Sequence, residues 1–198
     1  MENKLNKTTS DPKEIKNFEK ITDDWWNFNG EMKMLHAFTP IRIKYIIRAL
    51  SLRKLIKINK SSKSESLKNI RILDVGCGGG ILCEPMVRLG GIVFGIDASK
   101  TSIQVAKKHA KSSNLKIKYL CENIETFAKN KNNQGQFDLI CVSEVIEHVI
   151  NRDLFIHSIS KLLSNKGIVV VTTIDKSFLS LIFVKFLAEN IFNIIPKG

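Results

Sequence analysis

The sequence IRILDVGCGGG at residues 70–80 constrains the fold of this chain more than any other stretch. An aliphatic run ends in an acid and then in glycines, and an apolar helical pattern follows, which predicts a strand, a tight turn and a helix. Because glycine tolerates positive φ and has no side chain, a ligand can lie directly against such a turn. A second run, IVFGID at 92–97, also ends in an acid. Two strand-terminal acids beside a glycine turn are typical of a nucleoside site, where one of them binds ribose hydroxyls.

The rest of the chain alternates between strand and helix patterns. Strands are predicted at 70–75, 91–96, 116–121, 137–142 and 167–174, and helices at about 81–89, 99–112, 122–130 and 152–164. This alternation predicts an α/β fold with a parallel sheet and right-handed crossovers. Ligands of such sheets bind beyond the carboxyl ends of the strands. The residues predicted at those ends are Asp74, Gly76, Asp97, Ser143 and Glu144.

The segments before and after this core have a different character. Residues 1–12 are predicted to be disordered, and residues 13–66 to form N-terminal helices and a polar linker that cover the site. In that part, helical spacing runs through 13–29, and Pro40 is predicted to open a second helix that ends near Ile58. One face of that helix is predicted to hold Ile41, Tyr45, Ile46, Ala49 and Leu52. The α/β core is assigned to 67–175, and an apolar amphipathic helix to 176–198.

Composition narrows the class of protein. A chain of 198 residues can form one domain with a core of its own. The formal net charge of +12 has two interpretations: attraction to an anionic surface, or simply a solvated, lysine-rich exterior. The sequence contains no cluster of arginines that would indicate nucleic-acid binding. The four cysteines form no Cys-x-x-Cys pair, and the first ten residues lack a signal region. These features predict buried, reduced thiols in a cytoplasmic protein.

The glycine turn distinguishes between two nucleotide cofactors. Gly76 and Gly78 could begin a dinucleotide fingerprint, but its sixth position is Ile81, where that fingerprint favours glycine or alanine, which makes NAD less favoured without excluding it. Together with GID at 95–97 and FDLICVSE at 137–144, the turn resembles that of the class I S-adenosylmethionine-dependent methyltransferases, which have a Rossmann-like fold. That resemblance implies that the turn passes beside S-adenosylmethionine and that Asp97 holds its ribose.

Three further segments resemble one methyltransferase family. They are WWNFNGEMKMLHAFTPIRIKYI at 25–46, SEVIEHV at 143–149 and IIPKG at 194–198, and all three resemble the ubiquinone biosynthesis O-methyltransferases. The resemblance implies methyl transfer to hydroxyl oxygens of polyprenylated phenols and catechols, namely 2-polyprenyl-6-hydroxyphenol and 3-demethylubiquinol. The family sheet has seven strands, so a chain that ends at Gly198 is expected to lack the last two.

The resemblance also assigns the cofactor-binding residues. The cofactor contacts fall on Arg42, Gly76, Asp97 and Ser143. Arg42 suits this role because a guanidinium pairs with a carboxylate in fork geometry, although on sequence alone it is also an ordinary surface arginine. Asp97 could instead only cap the helix that follows it.

An acid–acid–histidine group follows the fourth predicted strand. Glu144, Glu147 and His148 are spaced i, i+3 and i+4, which places them on one face of a predicted helix. By resemblance these are magnesium ligands, and Mg²⁺ would neutralise a substrate phenolate. His148, with Glu144, is also the catalytic candidate, as a general base. The alternative is that acids merely favour a helix N-terminus.

The aromatic and apolar residues near the N-terminus are candidates for covering the substrate ring. They are Trp25, Trp26, Met32, Met34, Leu35, His36 and Phe38, and ordinary packing explains each of them equally well.

The apolar segment 178–195 predicts the membrane partner. It is too short and interrupted for a bilayer span and is predicted to lie in the membrane interface. The protein is therefore expected to be cytoplasmic and peripheral on the inner face of the membrane, to act on a polyprenylated substrate there, and to associate with other enzymes of the pathway. Two alternatives are a non-catalytic remnant or binding subunit of this fold and, from the charge alone, an RNA methyltransferase; no nucleic acid partner is expected.

Overall fold

The computed structural model of the protein describes residues 8–19, 23–57 and 65–173. Helices in these ranges are α1 (Pro12–Glu19), α2 (Lys33–Leu52), α3 (Cys83–Arg88), α4 (Lys100–Ser112), α5 (Ile124–Phe127) and α6 (Arg152–Leu162). Strands are β1 (Arg71–Val75), β2 (Ile92–Asp97), β3 (Lys118–Cys121), β4 (Phe137–Ser143) and β5 (Leu163–Thr172). Each strand and helix predicted for the core is present, with ends shifted by a few residues.

The strands form one parallel sheet in the order β3-β2-β1-β4-β5. The chain therefore winds outward from β1 in one direction and then from β4 in the other, which confirms the predicted α/β fold. The carboxyl ends of β1, β2 and β4 meet at one edge, and β1 lies between the other two. Ligands of open α/β sheets bind at such a reversal of strand order.

Strand β5 is longer than predicted and begins directly after α6. Its register against β4 shifts between Phe137 and Leu139. Among the described strands β5 pairs with β4 alone, and its Val171 is 50% exposed. The expectation that two family strands are missing concerns the end of the chain, which lies outside the described residues.

Both faces of the sheet are covered. Successive residues of β1 point to opposite sides, so Ile72 belongs to one apolar cluster and Leu73 to the other. On the first side α2 contributes Ile46 and Leu50, and on the second side α6 contributes Phe155. Burial on both faces explains why the strands of a parallel sheet are nearly continuous in apolar residues.

The N-terminal region differs from its prediction. Thr9 is buried and Ser10 forms an antiparallel bridge with Val149, so the predicted disorder over 1–12 is wrong for residues 8–12, while 1–7 lie outside the described residues. The physical reason is that the backbone and hydroxyl groups of Thr9 have partners in the core. Instead of one helix over 13–29, the chain forms α1 and a separate 3-10 turn at Asp23–Trp26.

Helix α2 begins seven residues before Pro40, so the prediction that this proline opens the helix is wrong. Proline lacks the N–H that would bond one turn back. It is exposed, and the preceding Thr39 donates its hydroxyl to the Leu35 carbonyl oxygen over 2.7 Å. The helix tolerates the missing bond because its other residues pack against the core.

The buried side of α2 was also predicted incorrectly. Ile46 and Leu50 are buried, but Ile41, Tyr45 and Leu52 are exposed. Apolar side chains occupy most of the circumference of this helix, so their spacing alone did not determine which side packs on the sheet.

Most of the polar linker and the predicted apolar helix at 178–195 lie outside the described residues. The helices that the structure does describe are all too short or too polar to cross a bilayer.

Candidate functional site

A cavity of about 420 Å³ lies at the carboxyl edge of the sheet. Its size is within the range of small-molecule sites. The residues predicted to bind the cofactor, Arg42, Gly76, Asp97 and Ser143, all line it. Glu144, Glu147 and His148 line it as well. The prediction that these residues share one site therefore agrees with their placement.

The glycine turn between β1 and α3 forms one wall of the cavity. Gly76 and Gly78 both have positive φ, at 69° and 51°, a conformation that other residues adopt only with strain. The N–H groups of Gly76 and Cys77 donate to the Ile96 carbonyl oxygen over 2.8 and 3.1 Å. The turn is thus tied to the end of β2, where Asp97 follows.

Asp97 joins the turn to the next helix. Its Oδ2 accepts from the Gly78 N–H at 2.9 Å and its Oδ1 from the Ser99 N–H at 2.7 Å. Burial raises the pKa of this carboxyl, and the two backbone donors oppose that rise. Each carboxylate oxygen has a second lone pair, so Asp97 can cap the helix and still accept from ribose hydroxyls.

Trp25 covers the outer side of the glycine turn. It is 5% exposed, and a Cβ added to Gly78 or Gly79 would overlap its indole ring. Its Nε1 is buried but donates a hydrogen bond to no described residue. A buried donor without a partner beside the cavity is suited to a ligand acceptor.

Of the seven residues predicted to cover the substrate, Trp25, Met34 and Leu35 line the cavity and the other four do not. Trp26 instead stacks on His109, with ring centroids 3.5 Å apart, and donates its Nε1–H to the Gly79 carbonyl oxygen. For Trp26 the packing alternative therefore fits the structure better.

Arg42 forms an ion pair within the cavity wall. Its Nη2 lies 2.6 Å from Glu144 Oε1, and the two side chains are 11% and 15% exposed. The second oxygen of Glu144, Oε2, is buried and accepts from no described residue. The guanidinium therefore holds one carboxylate oxygen, while the other is buried and has an unused capacity to accept a hydrogen bond.

Residues 144–148 do not form the helix that their spacing predicts. Glu144 has a φ of 55°, and only Ile146–His148 make a single 3-10 turn. The left-handed backbone at Glu144 redirects the chain at the end of β4, which precludes helical φ and ψ there. Consequently Glu144, Glu147 and His148 do not share one helical face, and that prediction is wrong.

His148 and Glu147 have separate surroundings. His148 Nδ1 lies 2.8 Å from Glu14 Oε2 on α1, and both side chains are about one third exposed. Glu147 Oε2 is buried and has no partner among the described residues. Sequence reasoning missed Glu14, because nothing local to α1 indicates a partner more than a hundred residues away.

The three predicted metal ligands do not converge in this conformation. Glu144 is held by Arg42 and His148 by Glu14. Throughout the described ranges, no group of three His, Cys, Asp or Glu side chains is arranged to hold a metal ion. The side chains as placed therefore do not fit Mg²⁺.

Two further residues complete the strand ends. Ser143 Oγ lies 2.9 Å from Thr172 Oγ1, which ties β4 to β5 beside the cavity. Asp74, at the end of β1, is buried and accepts from the Cys83 thiol at 3.1 Å. Burial raises its pKa from 3.8 to about 7, against the lowering effect of the thiol.

The segment 8–19 forms a strap across the cavity, and we call it the N-terminal strap. Thr9 donates its hydroxyl to Glu125 Oε2 at 2.7 Å and its N–H to Glu125 Oε1 at 3.2 Å. The Ile150 N–H donates to the Thr9 carbonyl oxygen at 3.1 Å. These contacts join the strap to helix α5 and to the loop at Ile150, and no sequence signal indicated them.

Known proteins resemble this chain over nearly all of its length. A family model described as a methyltransferase domain matches residues 66–195. The chain is 47% identical to a ubiquinone biosynthesis O-methyltransferase from Pelagibacter ubique. The aligned 186 residues cover 94% of this chain and 74% of the relative. It is 41% identical to the protein of the same name from Bartonella tribocorum, over 97% of this chain and 75% of the relative.

Solved structures agree on the fold. A candidate S-adenosyl-L-methionine-dependent methyltransferase from Methanococcus maripaludis superposes with a TM-score of 0.58 at 18% identity, over 91% of this chain and 72% of that one. At this identity the likeness supports the fold alone.

Proposed function

Because this chain belongs to the ubiquinone biosynthesis O-methyltransferases, a family of S-adenosylmethionine-dependent enzymes, we propose that its acceptors are the hydroxyl groups of polyprenylated phenols and catechols. The two acceptors expected are 2-polyprenyl-6-hydroxyphenol and 3-demethylubiquinol. The observation that carries the proposal is the cavity that collects Arg42, Gly76, Asp97 and Ser143 at one sheet edge.

The polar groups that line the cavity suit S-adenosylmethionine. Asp97 offers carboxylate oxygens for ribose hydroxyls, and Arg42 offers guanidinium N–H groups for a carboxylate. The buried Trp25 Nε1–H is a donor that still needs an acceptor. S-adenosylmethionine supplies an activated methyl group on a sulfonium, so the protein must mainly align the acceptor oxygen and exclude water.

The acceptor hydroxyl must lose its proton during transfer. We assign Glu144 Oε2 as the acceptor for the neighbouring hydroxyl of a catechol substrate, because this oxygen has no hydrogen-bond donor among the described residues while Arg42 fixes the other oxygen. His148 is the general base in this proposal, since the Glu14 carboxylate on its Nδ1 would stabilise the imidazolium.

Magnesium remains a prediction from the family resemblance, and no step above depends on it. A site at Glu144 would require this carboxylate to exchange Arg42 for the ion. Turnover that falls on chelation with EDTA and returns with Mg²⁺ would support the metal. Turnover that EDTA leaves unchanged would contradict it.

We also propose that the protein works at the inner face of the membrane, beside other enzymes of the pathway. The support is chemical: a polyprenyl chain partitions into the bilayer, and a net charge of +12 favours an anionic surface. The apolar segment 178–195 stays a candidate for this contact.

The proposed activity can be tested directly. The purified full chain is incubated with S-adenosylmethionine and a short-tailed demethylubiquinol, and mass spectrometry follows the addition of one methyl group. The His148→Asn variant serves as the comparison, because it removes the proposed base and keeps the polar shape. Methylation by the unsubstituted chain that falls strongly in the variant supports the proposal. S-adenosylhomocysteine binding without any methyl transfer would instead favour the binding-subunit alternative.

A further inference from the structure

A buried glutamate, a histidine and a tryptophan are in contact behind the glycine turn. Glu84, in the first turn of α3, is 3% exposed, and its Oε1 lies 2.6 Å from Nδ1 of His109 in the last turn of α4. The imidazole ring of His109 stacks on the indole ring of Trp26, with centroids 3.5 Å apart and ring planes inclined by 3°. We call these three residues the His109 cluster.

The glycine turn closes these contacts into a ring. Trp26 donates its Nε1–H to the Gly79 carbonyl oxygen at 2.9 Å, and Glu84 donates its backbone N–H to the Gly80 carbonyl oxygen at 3.2 Å. An ionised carboxylate only accepts, so His109 donates its Nδ1–H to Glu84, and this bond fixes the plane of the imidazole ring. The stack then fixes the plane of the Trp26 indole as well.

This ring of contacts determines where Trp25 lies. Trp25 and Trp26 end the 3-10 turn Asp23–Trp26, and a single turn of this kind has few hydrogen bonds of its own. Its position therefore depends on outside contacts. Trp26 supplies one on the side of His109, and on the other side the Trp25 carbonyl oxygen accepts from His36 Nε2 at 2.8 Å. Held in this way, the Trp25 indole lies over the glycine turn and lines the cavity.

We propose that His109 is a positioning residue for the cofactor. Through Trp26 it holds Trp25, whose buried Nε1–H donates to no described residue, where this group donates to an acceptor of the bound S-adenosylmethionine. Glu84, His109 and Trp26 themselves lie outside the cavity wall, so their effect on the cofactor passes through Trp25. The inference deepens the proposed function and rests on it, because the positioned indole serves the same methyl transfer.

The alternative is that the His109 cluster only stabilises the fold. Two substitutions separate these roles, because His109 makes two different contacts. His109→Phe keeps a ring for the stack but removes the donor to Glu84, which then retains Arg88 at 3.6 Å. His109→Asn keeps an N–H donor in the place of Nδ1 but removes the ring. The first change leaves a buried carboxylate short of a donor, and the second frees the Trp26 indole.

The test measures S-adenosylhomocysteine affinity by calorimetry and the thermal unfolding midpoint of the full chain. We expect His109→Phe to unfold roughly 5–10 °C lower and to keep its affinity within about twofold. We expect His109→Asn to unfold no more than about 5 °C lower but to bind about three- to tenfold more weakly. His157→Asn, at an exposed histidine of α6, is the matched control and should bind like the unsubstituted chain.

A double-mutant cycle tests whether Trp25 carries the effect. Trp25→Phe removes the Nε1–H and keeps an aromatic ring over the glycine turn, so it should itself weaken S-adenosylhomocysteine binding about fivefold or more. If His109 acts through Trp25, His109→Asn should weaken binding much less in the Trp25→Phe protein than in the unsubstituted chain. Losses of affinity that simply add in the cycle would overturn the inference.

Affinity and stability that fall together in the two His109 variants would also overturn it, because the His109 cluster would then act only through the fold. In the methyl-transfer assay, His109→Asn should raise the KM for S-adenosylmethionine and leave kcat within about twofold, since the contact is made before and during transfer alike. A lower kcat at unchanged KM would contradict the assigned role. The binding measurements need no acceptor, so an absence of methyl transfer would overturn the proposed function and leave the role of His109 in cofactor binding intact.

Discussion

Asp97 has two tasks at the level of a single side chain. Its carboxylate accepts from the Gly78 and Ser99 N–H groups, and the residue also lines the cavity. Asp97→Asn replaces one acceptor oxygen by a donor and removes the charge. We expect it to weaken S-adenosylhomocysteine binding by about 10- to 100-fold, since hydrogen bonds to a charged group contribute roughly 1.5–3 kcal/mol. Isothermal titration calorimetry measures the affinity.

The matched control for this change is Asp138→Asn. Asp138 also accepts from a backbone N–H, that of Arg71 at 3.0 Å, and from the Ser164 hydroxyl, but it does not line the cavity. Its variant should bind S-adenosylhomocysteine like the unsubstituted chain. Equal losses in both variants would mean that Asp97 acts only through the fold.

Asp74 links stability to pH. Burial raises its pKa from 3.8 to about 7, so between these values the folded protein holds a proton that the unfolded chain has released. The contribution of Asp74 to stability is therefore complete below about pH 4 and is lost as the pH rises to about 7. We expect the unfolding free energy of the unsubstituted chain to fall by on the order of 4 kcal/mol relative to Asp74→Asn across this window.

Urea unfolding of both proteins at several pH values measures this difference. The difference between the two pH dependences of the unfolding free energy isolates Asp74, because the contributions of all other titrating groups are common to both proteins and cancel. Parallel pH dependences would show that Asp74 titrates alike in the folded and unfolded states.

The contact between the glycine turn and Trp25 is a feature of two elements together. In the Gly78→Ala variant the alanine must adopt a positive φ, and its Cβ must also displace the indole ring of Trp25. Gly135→Ala accepts a similar φ of 66° but has nothing within 4 Å of the new Cβ. The strain of positive φ is about 1 kcal/mol in each case. We expect Gly78→Ala to cost about 1–3 kcal/mol more, as overpacking does.

Thermal unfolding of the two variants measures the difference, and the Gly78→Ala/Trp25→Ala double variant isolates its cause. Removing the indole should restore part of the lost stability. If the Gly78→Ala and Gly135→Ala variants unfold at similar temperatures, the indole ring moves aside without loss of stability, and its contact with the turn does not stabilise the fold.

The sequence predicted the elements of the core because their hydrophobic period and their turn residues agreed. Each strand and most helices from 70 onward are within a few residues of their predicted positions. At Pro40 the local preference for a helix start was overridden by packing of Ile46 and Leu50 in the core. At Glu144 the spacing matched a helix, but the backbone turns through a left-handed conformation that spacing cannot indicate.

The candidate site was predictable to the same extent. Arg42, Gly76, Asp97 and Ser143 all line the cavity; the strand ends and the glycine turn indicated the last three, and only the family resemblance indicated Arg42. The contacts between His148 and Glu14 and between Thr9 and Glu125 were not found. They join residues far apart in sequence, and a single sequence holds no signal for such pairs.

At the scale of the whole molecule, the N-terminal strap is joined to helix α5 and to the loop at Ile150, both beyond the carboxyl edge of the sheet. The strap contributes Thr9, Glu14 and Ile15 to the cavity wall, so we predict that a bound cofactor leaves faster when the strap opens. Glu125, which anchors the strap, is 5% exposed and accepts two hydrogen bonds from Thr9. Opening of the strap therefore leaves a buried carboxylate short of donors, which makes opening unfavourable.

Thr9→Val tests this coupling, because it keeps the shape of the side chain and removes the hydroxyl donor to Glu125. A lost hydrogen bond to a charged group should favour opening by roughly 1.5–3 kcal/mol, so we expect S-adenosylhomocysteine to dissociate about tenfold faster or more. Stopped-flow displacement measures that rate, and hydrogen exchange of the strap amides should increase with it. Thr126→Val, at an exposed position of α5, is the matched control and should change neither. Faster exchange in the strap without faster dissociation would mean that the strap opens without releasing the cofactor and is only a structural brace.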